Sequence, residues 1–253
     1  MNWSFIVTEN YRKLEVAVDA LVNRDPNQPG IGLFYGKPGV GKSTAIDICY
    51  SKNSNIEYII MQRLWRPRRL LEEICELFHL GDPEYRLDRL SDQVCKGLQH
   101  WNKPLLIDEA DYLLKNGIML DVIRDIHDKT KVPIILIGME KLHGSLRKYG
   151  QFFSRILPAG IVEFQPVTAP ETTRIIKEWT GLTIDFEAAE LFCQHCEGDF
   201  RYIIGYLLSL ETACKTNGVS HIDVKLVDAA IGRGRPKRAV KNDRNKMKIA
   251  GKP

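Results

Sequence analysis

Apolar residues follow two patterns along this chain, short runs and a spacing of three or four residues, and each pattern predicts a different element. Short runs of mainly apolar residues are typical of strands buried on both faces of a parallel sheet. Such runs occur at 31–35, 56–61 and 105–107. Apolar residues spaced three or four apart predict amphipathic helices instead, and they occur within 11–24, 70–78 and 87–101. From 169 onward the spacing is helical throughout, so we expect the strands to end at Phe164.

A glycine-rich loop follows the first predicted strand. Residues 36–43 fit the pattern G-x-x-x-x-G-K-[S/T] and lie between a strand and a helix, as that motif requires. Glycines let successive backbone N–H groups turn inward at a helix N-terminus, where they bind phosphate. Lys42 would reach the β- and γ-phosphates, and the Ser43 hydroxyl would ligate Mg²⁺. The predicted nucleotide contacts are Gly36, Pro38, Gly39, Val40, Gly41, Lys42, Ser43 and Thr44.

Two acids end the strand that begins at Leu105. Asp108 is placed to hold Mg²⁺ through water, and Glu109 to polarise a water for in-line attack on the γ-phosphate. The alternative is that both acids only cap the following helix from a solvated loop. The uncharged strand in front of them favours the metal site and hydrolysis of ATP.

With these two motifs the chain resembles the AAA+ ATPases, over most of residues 5–231. The resemblance implies an α/β P-loop NTPase fold with a five-stranded parallel sheet flanked by helices and a small helical lid. It makes 134–138 the fourth strand and 161–164 the fifth. The division that it implies is a nucleotide-binding domain at 1–167, a lid at 168–231 and a basic tail at 232–253.

The resemblance implies further contacts with the nucleotide. Relatives cover the adenine ring with the segment that here runs from Phe5 to Thr8, so we expect Val7 and Thr8 to contact the base. The lid of relatives offers an arginine to the γ-phosphate, and the sequence Gly-Asp-Phe-Arg at 198–201 resembles that place. Phe200 and Arg201 are therefore added to the site.

Relatives also place an arginine between the fourth and fifth strands, where it reaches the nucleotide of a neighbouring subunit. Arg155 matches that position best and Arg147 second. A guanidinium suits this task because its charge is permanent and its fork fits phosphate oxygens. The alternative is a solvated surface charge.

One position departs from the family. Relatives normally end the fourth strand with a polar residue that orients the attacking water, whereas residues 137–140 here read Ile-Gly-Met-Glu. Either Glu140 substitutes, or hydrolysis is slow and the nucleotide acts chiefly as an assembly switch.

Composition excludes several classes of protein. The 253 residues are 44% hydrophobic, enough for a real core, and no apolar run approaches the ~18 residues of a membrane span. The first residues do not resemble a secretory signal, so we expect a cytoplasmic protein without a membrane partner. Cys193 and Cys196 form a C-x-x-C pair, but no second pair exists and both lie in a helical pattern, which favours packing over zinc.

The positive charge is concentrated in the last 22 residues. The whole chain carries +4 and residues 232–253 carry +8, which leaves −4 for the rest. The tail has too few apolar residues to fold and is expected to be disordered. Its start resembles an AT-hook core, which lays arginines in the minor groove of A·T-rich DNA; a generic basic arm is the alternative. The predicted contacts are Arg233, Arg235, Lys237 and Arg238.

A second basic segment follows the second predicted strand. In AAA+ assemblies this connection tends to face a central channel, where arginines release counterions from DNA and Trp65 could stack against the backbone. The alternative is that Arg68 and Arg69 are solvated charges in the first turn of a helix. The candidate DNA contacts are Arg63, Trp65, Arg66, Arg68 and Arg69, with Lys115 and Asn116 as weaker ones.

Size, compact lid, the departure at 137–140 and the basic tail together resemble the AAA+ target-selection ATPases of transposition systems. That group includes the phage Mu B protein and the TnsC/TniB-type regulators. The resemblance implies ATP-dependent rings or filaments of this chain on double-stranded DNA, with a transposase and a target-selecting protein as partners. The alternatives are a replication helicase loader or initiator, and a nucleotide switch that acts on protein partners.

Overall fold

The computed structural model describes residues 4–52 and 55–231. Its centre is a parallel sheet of five strands in the order β2-β3-β4-β1-β5. Every residue of β3 is buried, and all but the last of β4 are, because helices cover both faces of the sheet. The strands are β1 (Ile31–Gly36), β2 (Glu57–Ile60), β3 (Leu105–Asp108), β4 (Ile134–Met139) and β5 (Ile156–Phe164).

In the described part of the chain up to β5, one α-helix precedes these strands, and six α-helices and one 3₁₀ helix connect them. One apolar cluster lies between the sheet and α3, α4 and α5, and a second lies between the opposite face and α1 and α2. The α/β P-loop NTPase fold with a five-stranded parallel sheet is thereby confirmed. The helices are α1 (Glu9–Val22), α2 (Lys42–Lys52), α3 (Pro67–Leu77), α4 (Leu87–Trp101), the 3₁₀ helix Ala110–Lys115, α5 (Gly117–Thr130), α6 (Lys141–Leu146) and α7 (Gly150–Phe153).

The fifth strand is longer than predicted. It begins at Ile156 rather than at residue 161, although Pro158 lacks the N–H that a central strand would need. Because β5 pairs only with β1 and lies at the edge of the sheet, a proline is tolerated there. The pairing of β1 with β5 shifts register between Ile31 and Leu33, which accommodates the Pro-Ala-Gly stretch.

A third apolar cluster is built by the last four helices. The expectation that strands end at Phe164 was wrong in one detail, because two short parallel strands pair here: β6 (Thr183–Ile184) and β7 (His221–Ile222). Where the domain boundary at 167/168 falls stays a prediction. The helices are α8 (Ala169–Thr180), α9 (Phe186–Cys196), α10 (Phe200–Asn217) and α11 (Val224–Ile231).

The N-terminal segment is tied to this helical part by a shared cap. Thr168 and Glu171 form a capping box at the start of α8. The second oxygen of Glu171 accepts from the backbone N–H of Glu9 at 2.8 Å, so the same carboxylate also caps the start of α1. Ile6 is buried in the third cluster. Among the described helices, none is both long and apolar enough to cross a bilayer.

Candidate nucleotide site and nucleic-acid surface

The glycine-rich loop joins the end of β1 to the start of α2. Gly39 has φ +78° and Gly41 has φ +86°, values that residues with a Cβ rarely adopt. Both glycines and Ser43 line a cavity of about 270 Å³ at the carboxyl edge of the sheet. The local geometry is therefore that of a phosphate-binding loop at the N-terminus of a helix.

Lys42 is folded back over this loop. Its Nζ donates to the carbonyl oxygens of Gly36 and Lys37, both at 2.7 Å. Burial lowers the pKa of the ammonium, and the nearby carboxylates of Asp108, Asp111 and Glu109 oppose that shift. A nucleotide phosphate bound in the loop would provide the Lys42 ammonium with an anionic partner.

The two predicted magnesium ligands lie side by side. The Ser43 hydroxyl donates to Asp108 Oδ2 at 3.4 Å, and Asp108 is 6% exposed. A hydroxyl and a carboxylate are the oxygen donors that Mg²⁺ prefers, with waters and phosphates completing its shell. No cluster of three or more His, Cys, Asp or Glu residues suited to a metal occurs among the described residues.

Tyr58 is a member of this site that the sequence did not reveal. Its hydroxyl donates to Asp108 Oδ2 at 2.9 Å from the adjacent strand β2. Burial, with the charge of Asp108, raises the pKa of Tyr58, so the hydroxyl keeps its proton and acts only as a donor. The pairing of β2 with β3 creates this contact between residues 50 positions apart.

Glu109 stands at the edge of the same cavity, one residue beyond β3. Its backbone is left-handed, with φ +52°, and its N–H donates to Asp108 Oδ1 at 2.7 Å. Burial raises the pKa of Glu109, and the charges of Asp108 and Asp111 raise it further. A more basic carboxylate at the mouth of a phosphate cavity suits the predicted activation of water.

The start of α10 closes this cavity from the side of the helices α8 to α11, which correspond to the predicted lid. The Phe200 N–H donates to the Gly39 carbonyl at 2.8 Å, and Asp199 caps the helix by accepting from the Arg201 N–H at 2.7 Å. Phe200 and Arg201 both line the phosphate cavity. The Asp199 carboxylate occupies the space that a Cβ on Gly39 would need. Position 39 thus favours glycine because of its backbone and also because of the lid.

A second, more apolar cavity of about 320 Å³ adjoins the first and shares Gly41, Thr44, Phe200 and Ile204 with it. Its position and apolar lining suit an adenine ring. Thr8 lines it as expected, but Val7 does not. In the extended segment before α1 successive side chains point to opposite sides, so Ile6 and Thr8 are buried and Val7 is 37% exposed. Phe5 also lines the cavity although it is 38% exposed, so the residues of this segment at the cavity are Phe5, Ile6 and Thr8 and not the expected Val7.

Trp179 holds this N-terminal segment in place. Its indole Nε1 donates to the Ser4 carbonyl at 2.7 Å, across 175 residues of sequence. Its ring lines the apolar cavity together with Phe5 and Phe200. Only the packing of the lid onto the N-terminus brings these residues together, so periodicity along α8 marked Trp179 merely as a core residue.

Arg155 lies far from the phosphate loop of its own chain. It directly precedes β5, and its carbonyl accepts from Ile31 N–H at the amino end of β1, whereas the loop follows the carboxyl end of β1. Its guanidinium binds Asp128 through Nε and Nη2, the latter at 2.8 Å, and donates to the Gln151 carbonyl at 2.7 Å. Arg155 is therefore not part of the nucleotide cavity of its own chain, and its role at a neighbour's nucleotide stays a prediction.

Two of the five predicted DNA contacts after β2 are held by carboxylates. Arg68 pairs with Glu72 at 2.7 Å, and Arg69 pairs with Glu73 at 2.5 Å and Glu76 at 3.0 Å. These i,i+4 partners also explain how cations are tolerated in the first turn of α3, where they oppose the helix dipole. The structure thus favours the alternative for this pair, solvated helix charges.

The turn between β2 and α3 projects other side chains. Arg63 and Arg66 are exposed and make no ion pair within the described part of the chain, and Leu64 between them is 88% exposed. Trp65 instead packs against the core beside Arg69, which stands 5.7 Å from its ring centre. The exposed apolar residue at this turn is therefore Leu64, which corrects the expectation that Trp65 stacks on DNA.

The weaker candidates have structural roles. The Asn116 side chain caps α5 by accepting from the Ile118 N–H at 3.2 Å, and Lys115 Nζ lies 4.5 Å from the centre of the Tyr112 ring. The predicted tail contacts lie outside the described residues: Arg233, Arg235, Lys237 and Arg238.

Comparison with known proteins agrees with this geometry. Residues 24–146 match the sequence profile of a family described as AAA domain. The chain is 25% identical over 268 residues to a potential ATP-binding protein of Staphylococcus aureus, covering 90% of this chain and 96% of that protein. It is 26% identical over 196 residues to the replication factor C large subunit of Sulfurisphaera tokodaii, covering 75% of this chain and 40% of the relative.

The same fold occurs in a solved structure, and the superposition extends beyond the residues that match the AAA domain family. The Aeropyrum pernix ORC1 protein, solved in complex with DNA, superimposes with a TM-score of 0.55 at 18% identity, over 90% of this chain and 66% of the other. ATP, with Mg²⁺ as its usual cofactor, is therefore the nucleotide of this ATPase, and the placement of the metal at Ser43 and Asp108 stays a prediction. Residues 24–146 thus match the AAA domain family, and the fold and the phosphate loop agree with a P-loop ATPase.

Proposed function

We propose that this chain is an ATP-gated DNA-binding ATPase that assembles with further copies of itself on double-stranded DNA. Lys42 and Ser43 bind the phosphates and Mg²⁺, Asp108 holds the metal, and Glu109 activates water. Arg201 of the lid and Arg155 of a neighbouring subunit complete the charge around the γ-phosphate.

One observation carries the link between nucleotide and DNA. The turn with Arg63, Leu64 and Arg66 leaves β2 directly beside the metal ligand, because the Met61 N–H donates to the Asp108 carbonyl at 3.0 Å. If nucleotide binding moves Asp108, this hydrogen bond would carry the movement to the exposed side chains of Arg63 and Arg66. The complex of ORC1 with DNA supports DNA as the partner at the level of the fold.

The first test is negative-stain electron microscopy of the protein with duplex DNA, in ATP, a non-hydrolysable analogue, ADP or no nucleotide. We expect rings or filaments with ATP and the analogue only, and their loss in Lys42→Ala and Arg155→Ala. Monomers under all four conditions would contradict the proposal and favour a switch that acts on protein partners.

A pair of double variants tests the DNA-binding turn. Arg63→Ala/Arg66→Ala and Arg68→Ala/Arg69→Ala each remove two positive charges within seven residues. Since only the first pair lacks carboxylate partners among the described residues, we expect it to weaken duplex binding and to reduce the salt slope by about 2. Equal effects of both variants would show that net charge alone, and not this turn, binds DNA.

Two finer functions share this activity. Transposition target selection is supported by the sequence resemblance, through the compact lid, the departure at 137–140 and the basic tail. A replication loader or initiator role is supported by the likeness to a replication factor C large subunit. Duplex preference and stimulation of a transposase would favour the first; single-strand preference and capture of a helicase would favour the second.

The tail has its own test within this proposal. If residues 233–238 act as an AT-hook, deletion of 232–253 abolishes a preference for A·T-rich over G·C-rich duplex while ATP hydrolysis persists. Equal affinity of the full chain for both duplexes would exclude the AT-hook and favour a generic basic arm that binds phosphates without reading bases.

A further inference from the structure

The end of β4 lies beside the phosphate loop and carries no polar side chain of its own. Gly138 pairs with Tyr35 and Met139 with Gly36, the first residue of the loop. Gly138 and Met139 line the phosphate cavity, whereas Glu140 is exposed and is not among the residues that line it. Glu140 therefore does not replace the polar residue that the family has here.

A carboxylate from another element occupies the vacant place. Asp111, in the 3₁₀ helix after Glu109, accepts from the Met139 N–H through Oδ2 at 2.7 Å. A Cβ built on Gly138 would collide with that same Oδ2 and come within 2.6 Å of Leu142 Cδ2. The Asp111 side chain thus occupies the volume that the Cβ of any other residue at position 138 would need.

The same carboxylate is close enough to the reacting groups to act on their charge. Its field reaches both Lys42 and Glu109, the phosphate ligand and the base. Its second oxygen, Oδ1, makes no hydrogen bond within the part of the chain that the structure describes. Asp111 is half-buried, which limits competition by bulk water.

We propose that Asp111 is a positioning residue for ATP hydrolysis that takes over, from the 3₁₀ helix, the place of the polar side chain missing at the end of β4. Through the Met139 N–H it fixes the end of β4, whose residues Gly138 and Met139 line the phosphate cavity together with Glu109. Asp111 itself gains and loses no proton in the reaction. The proposal rests on the ATPase activity and not on the DNA function.

The test separates hydrolysis from binding. We expect Asp111→Ala to lower the single-turnover rate of ATP hydrolysis by roughly 10- to 100-fold, since a small misplacement of reacting groups costs up to about 10²-fold. The Kd for Mg·ATP should change less than about 3-fold, because the phosphate loop is untouched. Asp111→Asn keeps an oxygen that can accept from Met139 N–H and should recover most of the rate. Asp121→Ala, in an exposed carboxylate on α5, is the control.

A swap of the two positions keeps the proposal testable if Asp111→Ala folds poorly. Gly138→Asn alone should clash with Asp111 and lose activity, and Asp111→Gly alone should lose it too. The double variant Asp111→Gly/Gly138→Asn removes the clash and places a polar side chain on β4, so we expect it to hydrolyse ATP faster than either single variant.

Three results would overturn the proposal. These are a wild-type hydrolysis rate in folded Asp111→Ala, a loss that lies wholly in Mg·ATP affinity, or a double variant no more active than the worse single variant. Each would show that the bond to Met139 only supports the fold. A failure of DNA binding would leave the proposal intact, since the proposal concerns the rate of ATP hydrolysis and not the affinity for DNA.

Discussion

At the scale of single residues, the chemistry at β3 depends on neighbours that hold Asp108 in one position. Asp108 accepts from the Glu109 N–H through Oδ1, and from the hydroxyls of Ser43 and Tyr58 through Oδ2. Hydrogen bonds to a charged carboxylate are stronger than those between neutral groups. These three hydrogen bonds therefore fix the orientation of the Asp108 carboxylate in the absence of Mg²⁺.

Tyr58→Phe removes one of these bonds without changing the packing of the ring. We expect the Mg²⁺ concentration for half-maximal ATPase activity to rise by about 10-fold, because outer partners of a metal ligand contribute roughly 10- to 100-fold to affinity. Tyr50→Phe is the matched control, since its ring lies 6.2 Å from that of Tyr58 and its hydroxyl is outside the site. An unchanged Mg²⁺ titration in Tyr58→Phe would contradict this role.

At the scale of elements, the N-terminal segment, α8 and α10 form one wall of the apolar cavity that we propose for the adenine ring. Glu171 at the start of α8 caps α1, Trp179 at the end of α8 holds Ser4, and Phe200 at the start of α10 binds Gly39. These bonds join the lid to the nucleotide-binding part at both ends of the cavity. Nucleotide that fills the cavity should therefore stabilise the arrangement of the lid.

Trp179→Phe tests this wall, because it keeps an aromatic ring but removes the N–H that binds Ser4. Losing one hydrogen bond of ~0.5–1.5 kcal/mol should weaken ATP binding by about 2- to 10-fold. Trp101→Phe, at the half-exposed end of α4, should leave affinity unchanged. The measurement is equilibrium titration with a fluorescent ATP analogue. The role assigned to Trp179 is wrong if both variants bind ATP equally well.

At the scale of the whole molecule, the site of one chain is incomplete on the proposed mechanism. Arg201 reaches the phosphate cavity from the lid, whereas Arg155 lies at the other edge of the sheet and is bound to Asp128. Asp128 raises the pKa of Arg155 and Arg155 lowers the pKa of Asp128, so the pair is charged on both sides. We infer that a neighbour's nucleotide must compete with Asp128 for this arginine during assembly.

A mixing experiment checks this inference. Lys42→Ala chains can still donate Arg155, and Arg155→Ala chains can still bind ATP, so a mixture should hydrolyse ATP although neither variant alone does. Arg147→Ala, in place of Arg155→Ala, is the control. If Arg147→Ala is inactive and complements Lys42→Ala while Arg155→Ala stays active, the trans arginine is Arg147 and the assignment to Arg155 is wrong.

Several features were already determined by the sequence, because they depend on local order along the chain. A glycine-rich loop between a buried strand and a helix, and acids at the end of another buried strand, predict a nucleotide site at one edge of a parallel sheet wherever the other elements lie. Apolar patterns likewise predicted three of the strands and the helical character beyond residue 169, whereas the fourth and fifth strands followed from the resemblance to the AAA+ ATPases. These signals are short in range, so a single sequence contains them.

Contacts between distant residues were decided only by the tertiary structure. The bond from Tyr58 to Asp108 depends on strand order, and the bond from Trp179 to Ser4 depends on how the lid packs. The Asp111 carboxylate in the place left by Gly138 depends on both the 3₁₀ helix and β4. Spacing along the chain predicts which residue types can act in a site. Which of them meet is determined by packing, because side chains far apart in sequence share a cavity only after the sheet and lid have closed around it.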